Sequence, residues 1–322
     1  MSSSLLRFAT HLLSPAGIRG RLTILIYHRV LAAPDPLQPD IPDVIAFDQQ
    51  LRWLAPLFHV LPLNKALEKL KNGTLPARTA CITFDDGYAD NLIQALPVLQ
   101  RHSMPATCFI ATDYLDGGRM FNDTVIEAVR RAPATHYDLC DLSLNSVDLT
   151  SLNKRQQAIA NLLSQLKYLP QPARTTRVAA LAARLTSEPL PDHLMLTSAQ
   201  LRTLHRSGMD IGAHTASHPI LATLTAADAK ADIARGKTRL EHLLDTDIPL
   251  FAYPNGKPGS DYTQRDVDTV RELGFAGAVS TAWGAATADC DSYQLPRFSP
   301  WAHQQLRFQW QLLRNLRHPV AP

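Results

Sequence analysis

An α/β fold on a parallel sheet is what this chain predicts, and three observations predict it. Apolar runs that read as buried strands alternate with stretches of helical periodicity, and Gly, Pro and Asn break the chain between them. The first run is LTILIYH (22–28), followed by a Pro-rich loop over 34–42. Residues 47–57 place Phe47, Leu51, Leu54 and Leu57 at helical spacing, with Asp48 in the expected first turn. A short strand near 58–61 leads into a helix at 63–71, ended by Asn72-Gly73. TACITF (79–84) is a second buried run, a helix follows at 89–102, and ATCFIAT (106–112) is the third.

The rhythm resumes with a strand at 210–213, a helix at 225–244, a strand at 250–253, a helix at 264–273 and a strand at 276–280. The intervening stretch, about 119–195, is rich in Leu, Ala, Gln and Arg and predicts helices at 123–131, 153–168 and 172–185. It reads as a helical insertion within a single domain spanning 1–322, whose core runs from about 22 to 300. The last periodic segment, LRFQWQLLRNLRH (306–318), is amphipathic. Packing on the body is the plain expectation for it, and weak attachment to an anionic membrane surface the sharper one.

Composition bounds the function. A chain of 322 residues with 45% apolar and 19% charged residues is that of a globular enzyme. The formal charge of +3 is small, and the Lys/Arg stripe needed to track phosphates is missing, so no nucleic-acid partner is expected. The four cysteines, Cys81, Cys108, Cys140 and Cys290, form no C-x-x-C pair, which excludes a zinc ribbon. The first 21 residues make a poor signal peptide, their short apolar patch being broken by Arg7, Thr10 and His11, so a cytoplasmic location is the expectation. Oligomeric state is not legible.

Two strings carry chemistry. Thr83-Phe84-Asp85-Asp86-Gly87-Tyr88 follows a strand directly, and adjacent carboxylates there point to different sides. One can hold a cation while the other keeps an oxygen for proton transfer. The alternative is an ordinary Asp-Asp-Gly turn. His214-Thr215-Ala216-Ser217-His218 follows the strand at 210–213 and can aim two imidazoles at one ion, a donor set suited to zinc.

Together these strings, TFDDG and then H-[ST]-x-x-H, resemble the NodB-homology polysaccharide deacetylases of carbohydrate esterase family 4. The resemblance runs from about 22 to 300 and is weakest over the insertion. It implies a distorted (β/α) barrel of about seven strands and hydrolysis of acetyl groups on the amino sugars of a glycan. By the same resemblance Asp86, His214 and His218 match the metal ligands, most often for zinc, and Asp85 matches the general base. A third family motif corresponds to Phe251-Ala252-Tyr253-Pro254-Asn255-Gly256, where the Asn255 N–H matches the oxyanion donor. The usual arginine near Ala252 is absent, and Arg297 in Leu295-Pro296-Arg297-Phe298 is the candidate to replace it.

The usual C-terminal Leu-x-His acid is also missing, and His303 has no convincing setting. Tyr27-His28-Arg29-Val30 is similar to the Y-H-x-V start of a permuted branch that includes poly-N-acetylglucosamine deacetylases, which makes His28 the expected acid. Phe121-Asn122-Asp123 is expected to cap a helix, with substrate contact as the alternative. Trp283 is expected either to wall the acetyl methyl or to pack in the core. Two other functions stay open: hydrolysis of a non-sugar amide on the same scaffold, or glycan binding without catalysis.

Overall fold

The computed structural model describes residues 3–300 and 302–318. In chain order, α1 (Ser3–Leu13) precedes β1 (Thr23–Tyr27), α2 (Val44–Leu54), β2 (His59–Val60), α3 (Leu63–Lys71) and β3 (Thr79–Phe84). A wide-wound turn at Asn91–Ala95 runs into α4 (Leu96–Arg101), and β4 (Thr107–Ile110) follows. Pro97 explains the wide winding, because its ring crowds the carbonyl four residues back and it has no N–H to donate.

The inserted stretch holds α5 (Phe121–Arg131), a small hairpin of β5 (His136–Tyr137) and β6 (Val147–Asp148), then α6 (Leu152–Lys167) and α7 (Gln171–Leu185). The barrel resumes with α8 (Ser198–Arg206), β7 (Asp210–Ala213), α9 (Ala226–Leu244), β8 (Leu250–Ala252), α10 (Gln264–Glu272) and β9 (Gly277–Val279). α11 (Gln305–Arg317) ends the described chain.

Seven of these strands form one parallel sheet in the order β1-β3-β4-β7-β8-β9, with β2 beside β3. Its strands are buried almost throughout, which is why they read as continuous apolar runs. The two outer strands are joined by the segment 295–298. Leu295 donates to Ala278 O and Ser280 donates to Leu295 O on the β9 side. Phe298 donates to Ile24 O, and Ile26 donates to Phe298 O, on the β1 side. This closes the curled sheet into a distorted barrel and carries Arg297 into its interior.

α5, α6 and α7 pack around a cluster of their own that includes Val125, Val129, Leu162, Leu166, Val178 and Leu181. The barrel core is separate, around Phe47, Phe84, Ile110, Phe251 and Phe308. Salt bridges and helix caps fix the joints: Arg130 of α5 reaches Asp35 in the Pro-rich loop, and Ser151 caps α6 by accepting from Lys154 N.

Candidate active site

The chemistry-bearing strings meet at the C-terminal ends of the parallel strands, where open α/β folds and barrels hold their sites. Asp85 and Asp86 follow β3, His214 and His218 follow β7, His28 follows β1 and Asn255 follows β8. One ligand atom from each of Asp86, His214 and His218 lies within 4.8 Å of the others. His214 Nε2 and His218 Nε2 stand 3.4 and 3.3 Å from Asp86 Oδ1.

The donors fit a cation. Asp86 Oδ1 is buried with no hydrogen-bond partner among the described residues, a costly arrangement unless something fills it. His214 Nδ1 lies 2.7 Å from Ala252 O; a carbonyl only accepts, so Nδ1 carries the proton and Nε2 keeps its lone pair. The field agrees. Burial pushes the His214 imidazole down, but the Asp85 and Asp86 carboxylates outweigh it and hold its pKa above the ordinary histidine value. Burial dominates at His218 and pushes it down to about 4, leaving a neutral base. Burial works to raise the Asp86 carboxyl, yet His218 and His214 hold it well below the usual carboxylate range.

Asp85 is gripped differently. Arg297 Nη1 and Nη2 donate to its two oxygens at 2.7 Å each, while Arg297 Nε donates to Ser280 O at 2.9 Å. The guanidinium is fully buried, and such a fork fixes orientation as well as charge. Burial raises the Asp85 carboxyl, but Arg297 and then His214 overcome it and keep it ionised. Asp85 Oδ2 still faces His214 Nε2 at 4.0 Å. The arginine missing beside Ala252 is thus supplied from the strand that closes the barrel.

The backbone is forced at this centre. Asp86, Thr215, His218 and Asn255 all have left-handed φ, at 76°, 64°, 52° and 58°. Side chains with a Cβ resist that conformation, and such strain collects at functional sites. The 214–218 loop is a true loop rather than a helical turn, and Asp232 of α9 fastens it by accepting from Ala216 N, Ser217 N and Ser217 Oγ. Four residues on, Gly236 leaves no room for a side chain, since a Cβ there would fall 2.6 Å from the Thr215 carbonyl. Sequence reasoning missed both residues, although a glycine inside a predicted helix is a packing signal.

A cavity of about 390 Å³ opens over the centre, lined by His28, Asp85, Asp86, His214, His218 and Asn255. Phe121 and Asn122 at the start of α5, together with Leu163, Ser164 and Lys167 of α6, form its other wall. A second cavity of about 520 Å³ shares His28, Asp86 and Asn122 with it and extends along Arg29, Gln38, Tyr88 and Asp123. His28 is exposed where the two meet. No acceptor for the Asn255 N–H is found among the described residues, and its carbonyl takes the Thr281 hydroxyl instead.

One expectation is corrected here, and for Trp283 the core-packing alternative is the one seen. Neither Asn122 nor Asp123 caps a helix: α5 begins at Phe121 without a side-chain cap, and Asp123 is buried with its Oδ2 accepting from Tyr88 Oη at 3.0 Å. Trp283 does not line the catalytic cavity; it packs on Phe298 and under Arg314, and Phe121 takes the wall position instead.

A barrel closed around an Asp-Asp pair and a two-histidine loop defines a hydrolase scaffold, and comparison with known proteins says which. The polysaccharide deacetylase family model matches residues 72–278, and the chain belongs to that family. It is similar to YxkH of Bacillus subtilis, a provisionally named polysaccharide deacetylase, with 21% identity over 279 residues that cover 86% of this chain and 70% of the relative. The poly-β-1,6-N-acetyl-D-glucosamine N-deacetylase of Staphylococcus epidermidis is 28% identical over 109 residues, covering 34% of this chain and 38% of that protein.

Among solved structures the fold resembles the Streptococcus pyogenes deacetylase PplD in complex with acetate. The TM-score is 0.60 at 19% identity, covering 93% of this chain and 99% of that one. It also resembles IcaB of Ammonifex degensii, with a TM-score of 0.58 at 17% identity, covering 95% and 99%.

Proposed function

We propose that this chain is a metal-dependent N-deacetylase that removes acetyl groups from the N-acetylated amino sugars of a polysaccharide. One observation carries the reading: a buried Asp86, His214 and His218 donor set, with an orphaned carboxylate oxygen, stands beside an Asp85 held rigid by Arg297. Two histidines and one carboxylate suit zinc with positions left open. Held by these three residues, a divalent ion would supply Lewis acidity to polarise the acetyl carbonyl and acidify water.

The protein's own groups do the rest. Asp85, kept ionised and oriented by Arg297, accepts the proton of the water that attacks the acetyl carbon. The Asn255 N–H, which has no acceptor among the described residues, donates to the oxygen on which charge develops. His28, exposed beside the bound sugar, delivers a proton to the nitrogen as the C–N bond breaks. Acetate and the free amine result.

A polymer rather than a small amide is supported by the two adjoining cavities, which share a wall and continue past the reacting centre. The name of the staphylococcal relative points to a β-1,6-linked N-acetylglucosamine chain as the first substrate to try. The test is acetate release from a panel of N-acetylated oligosaccharides and small amides, after chelation and after zinc is restored. We expect release from oligosaccharides, lost on chelation and lost in His28→Gln with metal content unchanged. Release from small amides alone would place the chain among non-sugar amidases. Metal binding without release from any acetylated compound would leave a glycan-binding protein.

A further inference from the structure

The two ends of the chain build a surface that the deacetylase reading does not use. α1 and α11 pack against each other and against the barrel through Leu6, Phe308, Leu312 and Leu316. Yet α1 keeps a second apolar stripe facing outward, Leu5, Phe8 and Leu12, spaced three and four apart on one face. Ile18, beyond the end of α1, is exposed as well, and on α11 so are Leu306 and Trp310. Each of the six is between 51 and 73% exposed, and they are six of the ten large apolar side chains left exposed among the described residues. Apolar surface concentrated in this way marks an interaction face.

The charges around it name the partner. No Asp or Glu occurs in residues 1–34 or 292–322. The exposed charges that these two stretches themselves carry are therefore all cationic: Arg7, Arg19, Arg307, Arg314 and Arg317. Arg314 and Arg317 follow Trp310 on its own stripe, one and two turns on. An aromatic and aliphatic stripe whose own helices carry arginine and no carboxylate fits the headgroup region of an anionic bilayer.

Position is consistent with this use. Ser299 and Pro300, which line the cavity beside the catalytic centre, come shortly before α11 in the sequence. At its other end the Leu316 carbonyl accepts from Arg21, just ahead of β1. α11 therefore runs down the flank of the barrel from the site end, with Leu306 at the end nearer the cavity and Trp310 near its middle.

We propose that α1 and α11 form a docking face for an anionic membrane surface, lying in the interface rather than crossing it. No helix among the described residues is long and apolar enough to cross a membrane. The docking rests on this exposed face alone and does not depend on catalysis or on the polysaccharide reading.

The full chain is mixed with vesicles of phosphatidylglycerol or of phosphatidylcholine and sedimented. We expect pelleting with the anionic vesicles only, weakened by salt. The variant Phe8→Ser/Leu12→Ser/Trp310→Ser, altered only at exposed positions, should lose about tenfold or more in partitioning through lost apolar burial, with its circular dichroism unchanged. Wild-type protein that stays in the supernatant with anionic vesicles would overturn the proposal, as would a variant that pellets like wild type. Sedimentation velocity on the lipid-free protein covers the competing occupant: a dimer that the same substitutions dissolve, without vesicle binding, would assign the face to a second copy. Acetate release from a soluble oligosaccharide should be equal in both proteins, which separates this test from that of the catalytic reading.

Discussion

Replacing Arg297 by Met removes a guanidinium that touches nothing but the barrel interior and the base. Its two 2.7 Å bonds to Asp85, its bond to Ser280 O and its full burial set the magnitude. Taking away one partner of a buried pair leaves the other charge uncompensated, at about 3–5 kcal/mol of stability. The catalytic loss follows from geometry, since a base displaced by ~1 Å loses about 100-fold in turnover. The metal donors are untouched, so zinc affinity should stay within a few-fold of wild type.

The assay combines denaturant unfolding, acetate release and metal titration on the same preparations. It is repeated in Asp85→Asn, where no carboxylate charge is left to strand and the Met substitution should cost much less. Near-normal turnover in Arg297→Met, or equal stability losses in the two backgrounds, would refute the role given to the clamp. Loss of metal with retained stability would refute it as well.

Gly236→Ala should distort the 214–218 loop, because the new methyl meets the Thr215 carbonyl of a packed backbone. A stability loss of about 1–3 kcal/mol is expected, with weaker zinc binding by titration calorimetry although no ligand has changed. Asp123 gives a pH signature. Burial raises its carboxyl to about 7 against the opposing pull of Arg29 and the Tyr88 hydroxyl. The folded state then holds a proton that the unfolded state has released above its ordinary value of ~4, so this group's contribution to stability falls as pH rises from about 4 to about 7 and is flat beyond. Asp123→Asn should remove that slope, and melting curves from pH 4 to 8 on both proteins will show it.

Most of the barrel was legible because strands buried on two faces must be apolar throughout, and every strand of the main sheet was readable from its run. The helices of the insertion were found to within a residue or two from periodicity alone. Four things escaped, the first being α1, whose residues were read only as a poor signal peptide. α8 was missed although Thr197 and Gln200 form a capping box, a local signal that a short amphipathic helix needs. α2 starts at Val44 behind an Asp43 cap, earlier than its apolar spacing suggested, and Asp48 serves ion pairs with Arg52 and Arg101 instead. The β5–β6 hairpin has two-residue strands, too short to show alternation.

The site was legible where chemistry is local in sequence, in the Asp-Asp pair and the two-histidine loop. Where function depends on closure of the barrel it was legible only in part: Arg297 could be named as the replacement for the missing arginine, but not its grip on Asp85. Only the fold brings Arg297 across 212 residues to Asp85, and only the fold lays α6 over the catalytic cavity.

The proposed activity stands on Asp86, His214 and His218 holding a metal for chemistry run by Asp85. The most direct measurement is paired zinc content and acetate release from an N-acetylglucosamine oligomer for wild type, Asp85→Asn and His214→Ala. Wild type should bind one zinc and release acetate. Asp85→Asn should keep the zinc and lose about 100-fold or more in turnover, while His214→Ala should lose the zinc. Turnover retained in Asp85→Asn, or zinc retained at full affinity in His214→Ala, would contradict the account.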